Sequence, residues 1–235
     1  MNITSFVKNK VYSRLLFERR MIRLIILDFD GTLGDTRANI VLTMRQTMEK
    51  TGYPVASEES IAATIGLPLE EGFRQLISGI SEEETLRCAA TYRDIFEINR
   101  KNLVPKLFPG VKETLETLVK KGYVLTVASS RHFASLSGFL TDMGISNLIS
   151  YVLGADGVTN AKPHPEPVLK TLSALGFSPE EAIVVGDMPV DILMGKGAGT
   201  RTCGVTYGNS CREDLSAAGA DMIIDNFSEL LNELS

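Results

Sequence analysis

A doubly wound α/β fold, with a parallel sheet and an all-helical domain inserted after its first strand, is what this sequence predicts on three observations. Leu24 to Leu27 and Ala182 to Val185 are unbroken apolar runs, the pattern of strands covered on both faces. Past residue 106, short apolar runs alternate with stretches of helical period, as βαβ units do. Between residues 37 and 102 helical spacing recurs about four times with no convincing strand. The expected organisation is an extension over 1–20, a core segment over 21–36, a helical cap over 37–105 and a second core segment over 106–235.

Taken in order, Arg37 to Thr51 carries Ile40, Val41, Met44 and Met48 at helical spacing, and Gly52 with Pro54 closes it. Ser57 ahead of Glu58 and Glu59 predicts a capped helix start. Gly66 and Pro68 break the chain before Leu69 to Ile77, and Ser81 with Glu84 forms a capping-box pattern opening a helix to about Lys101. Pro109 and Gly110 precede a helix with Val111, Leu115, Leu118 and Val119 on one face, ended by Gly122. A strand over Tyr123 to Ala128, a helix from about Phe133 to Gly144, and a strand over Tyr151 to Leu153 follow. Pro165 to Leu175 predicts a helix capped by Gly176, and Ser178 starts a helical turn. The last elements are helices over Val190 to Ala198, Arg212 to Ala218 and Phe227 to Leu234, between strands at Thr202 to Val205 and Met222 to Ile224.

Composition narrows the class. With 235 residues, 44% of them hydrophobic, the chain can bury a full core, and the default is one enzyme-sized unit. A net charge of -5 offers no general attraction to nucleic acid. Cys88, Cys203 and Cys211 lack C-x-x-C spacing and read as reduced thiols, which points to the cytoplasm. No run reaches the roughly 20 apolar residues of a membrane span. Residues 1–20 carry Lys8, Lys10, Arg14, Arg19 and Arg20 against Glu18, with Ile3, Val7, Val11 and Leu15 at every fourth position and Met21 just beyond. They lack the apolar core of a secretory signal and read as an accessory extension or an upstream start.

The chemistry gathers where strands end. Asp28, Asp30 and Gly31 form a D-x-D-G turn at the carboxyl end of the first apolar run, where open α/β sheets bind ligands. Two carboxylates about 4 Å apart repel by roughly 4 kcal/mol at an effective dielectric of about 20, so a bound cation would relieve the pair. A plain solvated turn is the bland competitor. A calcium loop is excluded, because no run of further oxygen ligands and no closing Glu follows. Ser129, Lys162, Asp187 and Asp191 add polar groups at later strand or loop ends, although Ser129 also suits a helix cap and the two acids suit a helix N-terminus.

This ordered set resembles the haloacid dehalogenase superfamily. The matching stretches are D-F-D-G-T-L-G-D-T at 28–36, V-A-S-S-R at 127–131, A-K-P at 161–163 and V-G-D-M-P-V-D at 185–191. The resemblance spans about Met21 to Ser235 and implies a Rossmann-like core with a helical cap. It implies Asp28 as the nucleophile that forms an aspartyl-phosphate, and Asp30 as general acid and then base. Ser129, Ser130 and Thr32 would bind the phosphoryl oxygens, and Lys162 would neutralise their charge and hold Asp28. Magnesium would sit on Asp28, the main-chain carbonyl of Asp30, and Asp187, with Asp191 in direct contact or one layer out.

An acid at position 30 matches the phosphate-transfer members. The mutase branch resembling beta-phosphoglucomutase is the rival, but it carries a Glu-Asp-Ser run where this chain has Gly186, Asp187 and Met188. Gly-Asp-x-x-x-Asp is similar to hydrolases of the phosphoglycolate phosphatase type. The expectation is therefore a magnesium-dependent phosphatase acting on a small phosphorylated metabolite, such as phosphoglycolate, a sugar phosphate, a nucleotide or pyrophosphate, as a monomer or homodimer. A catalytically idle phosphate-binding protein is the third reading, opposed by the intact acids and lysine. The 37–105 block would act as a lid with Leu67, Pro68 and Arg74 nearest the substrate, although Pro68 reads first as a helix breaker and Arg74 as a solvated face. His164 is expected to shape its turn and His132 to lie on a surface loop.

Overall fold

A computed structural model of the chain describes residues 21–103 and 105–234. The expectation for residues 1–20 lies outside the described residues. Six parallel strands form one sheet in the order β5-β4-β1-β6-β7-β8, where β1 is Leu24–Leu27, β4 Val124–Ala128, β5 Tyr151–Leu153, β6 Ala182–Gly186, β7 Arg201–Val205 and β8 Met222–Ile224. The chain builds outward from β1 on one side, then returns to build outward on the other. The topological switch therefore falls between β1 and β6, and the crevice at their carboxyl ends is where such sheets bind ligands.

The apolar runs divide as strand geometry requires. All four residues of β1 are fully buried, with Ile25 and Leu27 in one hydrophobic cluster and Leu24 and Ile26 in another. Successive side chains of a strand point to opposite faces, so a run without polar alternation is covered on both.

Between β1 and β4 stand four helices, Arg37–Thr51, Glu58–Ala62, Leu69–Leu76 and Glu82–Asn102, as the spacing predicts. Ser57 and Ser81 cap two of them, accepting from the backbone N–H of Ser60 at 3.1 Å and of Glu84 at 3.2 Å. The first and last lie together, and inside that contact Asn99 donates to Thr43 Oγ1 at 2.9 Å and Gln46 Oε1 at 2.8 Å. A file of aromatic rings joins this helical block to the sheet. Phe73 meets Tyr92, Tyr92 meets Phe96, Phe96 meets Phe139, and Phe139 meets Phe29, with centroids 5.7–6.4 Å apart.

A second, two-stranded sheet that no sequence pattern predicts frames the helical block. Gly34–Asp35 (β2) and Lys106–Leu107 (β3) pair antiparallel, where the chain enters and leaves the helical block. Two residues per strand show no periodicity, so only the pairing reveals them. The C-terminal helix is also split, into a 3-10 turn over Phe227–Glu229 and a short helix over Leu230–Glu233. Among the described residues, no helix is long and apolar enough to cross a membrane.

Candidate active site

Strand pairing places the acids. β1 and β6 lie in register, Leu27 opposite Val185, so Asp28 and Asp187 emerge side by side where the two strands end. Asp191 stands in the first turn of the helix Pro189–Ala198. Lys162 comes from the loop before the helix Glu166–Leu175, and its ammonium bonds both Asp28 Oδ1 and, at 2.7 Å, Asp191 Oδ1. All four side chains are buried.

Burial and mutual repulsion shape the charges. Burial raises the Asp28 carboxyl well above the usual range; Lys162 pulls it back, while Asp191, Asp187 and Asp30 push it further up. Asp187 is pushed up to about 7, by burial first and then by the charge of Asp191. For Lys162 burial works against the ammonium, but Asp191 and Asp28 outweigh it and hold the amine charged. Asp191 has both oxygens engaged, the second accepting from the Met188 N–H at 3.1 Å. It anchors the lysine.

Asp30 faces another way. Its carboxylate takes both prongs of Arg131, Nε at 2.7 Å to Oδ2 and the terminal nitrogen at 2.6 Å to Oδ1, and the Thr36 hydroxyl donates to Oδ1 at 2.5 Å. The Arg131 guanidinium carbon lies 4.8 Å from the Phe96 ring centroid and 4.9 Å from that of Phe139. Burial disfavours this cation, yet Asp30 more than compensates and the pKa of Arg131 is raised. Any share Asp30 takes in metal binding falls to its main-chain carbonyl.

The remaining expected residues are spread around this centre. Thr32 donates to Asp187 Oδ1 at 3.1 Å. The Ser129 hydroxyl accepts from the Arg131 N–H at 3.2 Å, and the Ser130 hydroxyl donates to the Gly66 carbonyl at 2.6 Å, tying the end of β4 to the helical block. Leu67 and Pro68 line a cavity of about 330 Å³ between the helical block and the sheet. Arg74 does not reach it and pairs with Glu82 and Glu71 on the surface. His132, expected on a surface loop, is exposed there just ahead of the helix Phe133–Asp142, and it also lines the same cavity. His164 accepts from the Glu166 N–H at 3.1 Å and shapes its turn.

Sequence reasoning missed three partners. Arg131 and Thr36 close stretches already singled out, so their positions were visible though their bonds to Asp30 were not. Asn209, in the loop after β7, left no signal. Its backbone N–H and side-chain amide both donate to Asp187 Oδ2, at 2.7 and 2.9 Å.

The centre suits a divalent cation. Asp28, Asp187 and Asp191 offer oxygens that all lie within 4.8 Å of one another, against the single ammonium of Lys162 bonded to two of them. Three buried carboxylates with one cation leave excess negative charge, and all the donors are hard oxygens, the set that magnesium prefers.

Comparison with known proteins agrees with this geometry. A family model described as haloacid dehalogenase-like hydrolase matches residues 25–205. The chain is 40% identical over 212 residues to the probable phosphatase IndB of Dickeya dadantii, covering 88% of this chain and 91% of that protein. It is 32% identical to a phosphoglycolate phosphatase of Photorhabdus laumondii, covering 91% and 92% of the two chains. The crystal structure of a predicted phosphoglycolate phosphatase from Haemophilus somnus superposes with a TM-score of 0.78 at 28% identity, over 91% of this chain and 98% of the other.

Proposed function

The chain belongs to the haloacid dehalogenase-like hydrolase family and is a phosphoric monoester hydrolase, and from that premise we propose a magnesium-dependent phosphatase of small phosphorylated metabolites that works through an aspartyl-phosphate. The observation that carries the reading is the convergence of Asp28, Lys162, Asp187 and Asp191 at the switch point, with Asp30 two residues from Asp28. Asp28 attacks phosphorus while the ester P–O bond breaks, and Asp30, which must leave its ion pair with Arg131 and enter this step protonated, gives its proton to the departing oxygen. A water then attacks the phosphorus of the aspartyl-phosphate, Asp30 takes its proton, and inorganic phosphate leaves. Lys162 holds Asp28 in line and neutralises the phosphoryl charge; Ser129 would bind a phosphoryl oxygen, as would Ser130 and Thr32 on turning their hydroxyls from Gly66 and Asp187.

Asp28, Asp187 and the carbonyl of Asp30 would hold the magnesium, with Asp191 acting through Lys162. When bound, the metal supplies charge neutralisation at the phosphoryl group. Residues 37–105 serve as the cap that excludes water from the site. Gly186 favours the hydrolase over the mutase reading. A Cβ there would run into the Asp191 side chain, so the Glu of a Glu-Asp-Ser run has no room beside Asp191.

The test is release of inorganic phosphate from an aryl phosphate in magnesium, beside Asp28→Asn and beside excess EDTA. Turnover that EDTA and Asp28→Asn both abolish is the expected result. Wild-type turnover in Asp28→Asn would overturn the nucleophile, and full activity in EDTA would overturn the metal site.

A further inference from the structure

The cavity above Asp30 carries information about what leaves with the phosphate. Its wall is mostly apolar, with Ile40, Met44, Ile65, Leu67, Leu69 and Phe96 facing the space. Its full charges come already matched. Arg131 is held by Asp30, Arg93 by Glu70 at 2.7 Å, and Glu97 by Arg100 at 2.9 Å. Charge-matched pairs leave no net field to attract an ion into the space. Ser135 stands in the wall, but its hydroxyl oxygen is shut off from solvent and does not open onto the space.

On the phosphatase reading, we propose that this chamber selects phosphomonoesters whose leaving group is uncharged and largely apolar, and that it disfavours a leaving group bearing a carboxylate. A leaving-group carboxylate in the chamber would have to draw Arg131 from Asp30 or Arg93 from Glu70, stranding an acid in either case, or lie unpaired against hydrocarbon. A neutral ring or branched chain covers the wall instead and gains from leaving water. At about 330 Å³ the space lies at the small end of ligand cavities and is larger than a two-carbon acid requires.

Two measurements decide it. Wild-type protein in magnesium is assayed with 1-naphthyl phosphate and with phosphoglycolate, and the neutral ester is expected to show at least about tenfold higher kcat/KM. In the hydrolysis-blocked Asp28→Asn protein, calorimetry of the same two compounds is expected to give a dissociation constant at least about tenfold lower for the naphthyl ester. Equal values, or a preference for phosphoglycolate in either measurement, overturn the proposal while leaving the phosphatase reading intact. No phosphate release from either ester sinks the phosphatase reading itself, and the calorimetric ratio still decides what the chamber accepts.

Discussion

Arg131 grips Asp30 in a two-pronged ion pair, 2.6 and 2.7 Å to its two oxygens, beneath the rings of Phe96 and Phe139. The two residues are 101 positions apart, and their pairing joins the loop after β1 to the loop after β4. A buried guanidinium presents a planar fork that matches a carboxylate, so it fixes the direction of Asp30 as well as its charge.

Arg131→Met is therefore expected to act on the proton transfer assigned to Asp30. Alkyl phosphates, whose leaving oxygen needs a proton, should lose about a hundredfold in kcat, while p-nitrophenyl phosphate, whose leaving group departs unprotonated, should lose only a few-fold. Arg131→Lys should recover part of the alkyl activity. Equal losses on both substrates would mean that Arg131 only supports the fold.

Asn209 donates twice to Asp187 Oδ2, and Asn209→Ala removes the side-chain bond while leaving the backbone one. Partners behind metal ligands typically contribute 10–100-fold in affinity, so the magnesium dissociation constant should rise about tenfold. Calorimetric titration reads this directly, and an unchanged constant would show that Asn209 does not orient Asp187 for metal.

Gly31 turns the chain just after Asp30 at φ +89, and a Cβ there would run into Asp187 and Asn209. Gly31→Ala is expected to cost about 1–3 kcal/mol of stability, from the backbone conformation and the close approach together. Urea unfolding measures it. Gly52, with positive φ but open space around it, is the control, and an equal cost there would remove the close approach as a cause.

The buried acids also predict how metal-free protein responds to pH. Asp187 has its folded pKa pushed up to about 7 and Asp28 is raised as well, so on raising pH the unfolded chain ionises first. Their contribution to stability is full below about pH 4 and is lost as pH climbs toward 7. Glu166, lowered to about 2 by the N–H groups of Thr159 and Asn160 and by Lys170, acts only at the acid end, where stability is lost as pH falls. Melting in EDTA from about pH 5 to about pH 8 should therefore show Tm falling, with each kcal/mol worth about 2–4 °C in a chain of this size. Added magnesium should raise Tm most at the alkaline end. A Tm that rises with pH in EDTA would contradict the crowding of acids.

What the sequence determined by itself is the order of elements and the stations of the chemistry. An apolar run such as Leu24 to Leu27 reports burial on both faces without reference to any partner, and helical spacing in residues 37–102 is likewise local. Asp28 and Asp187 could be singled out because they stand at the ends of such runs, and Lys162 because it lies in a stretch that resembles the family's. Only the tertiary structure decided which groups touch. That Asp191 anchors Lys162, that Arg131 rather than a neighbour of Asp28 takes Asp30, and that Asn209 supports Asp187 all depend on strand order and register, which bring distant loops to one edge of the sheet. Hydrogen bonds hold over about 3 Å, and separation along the chain carries no record of such distances.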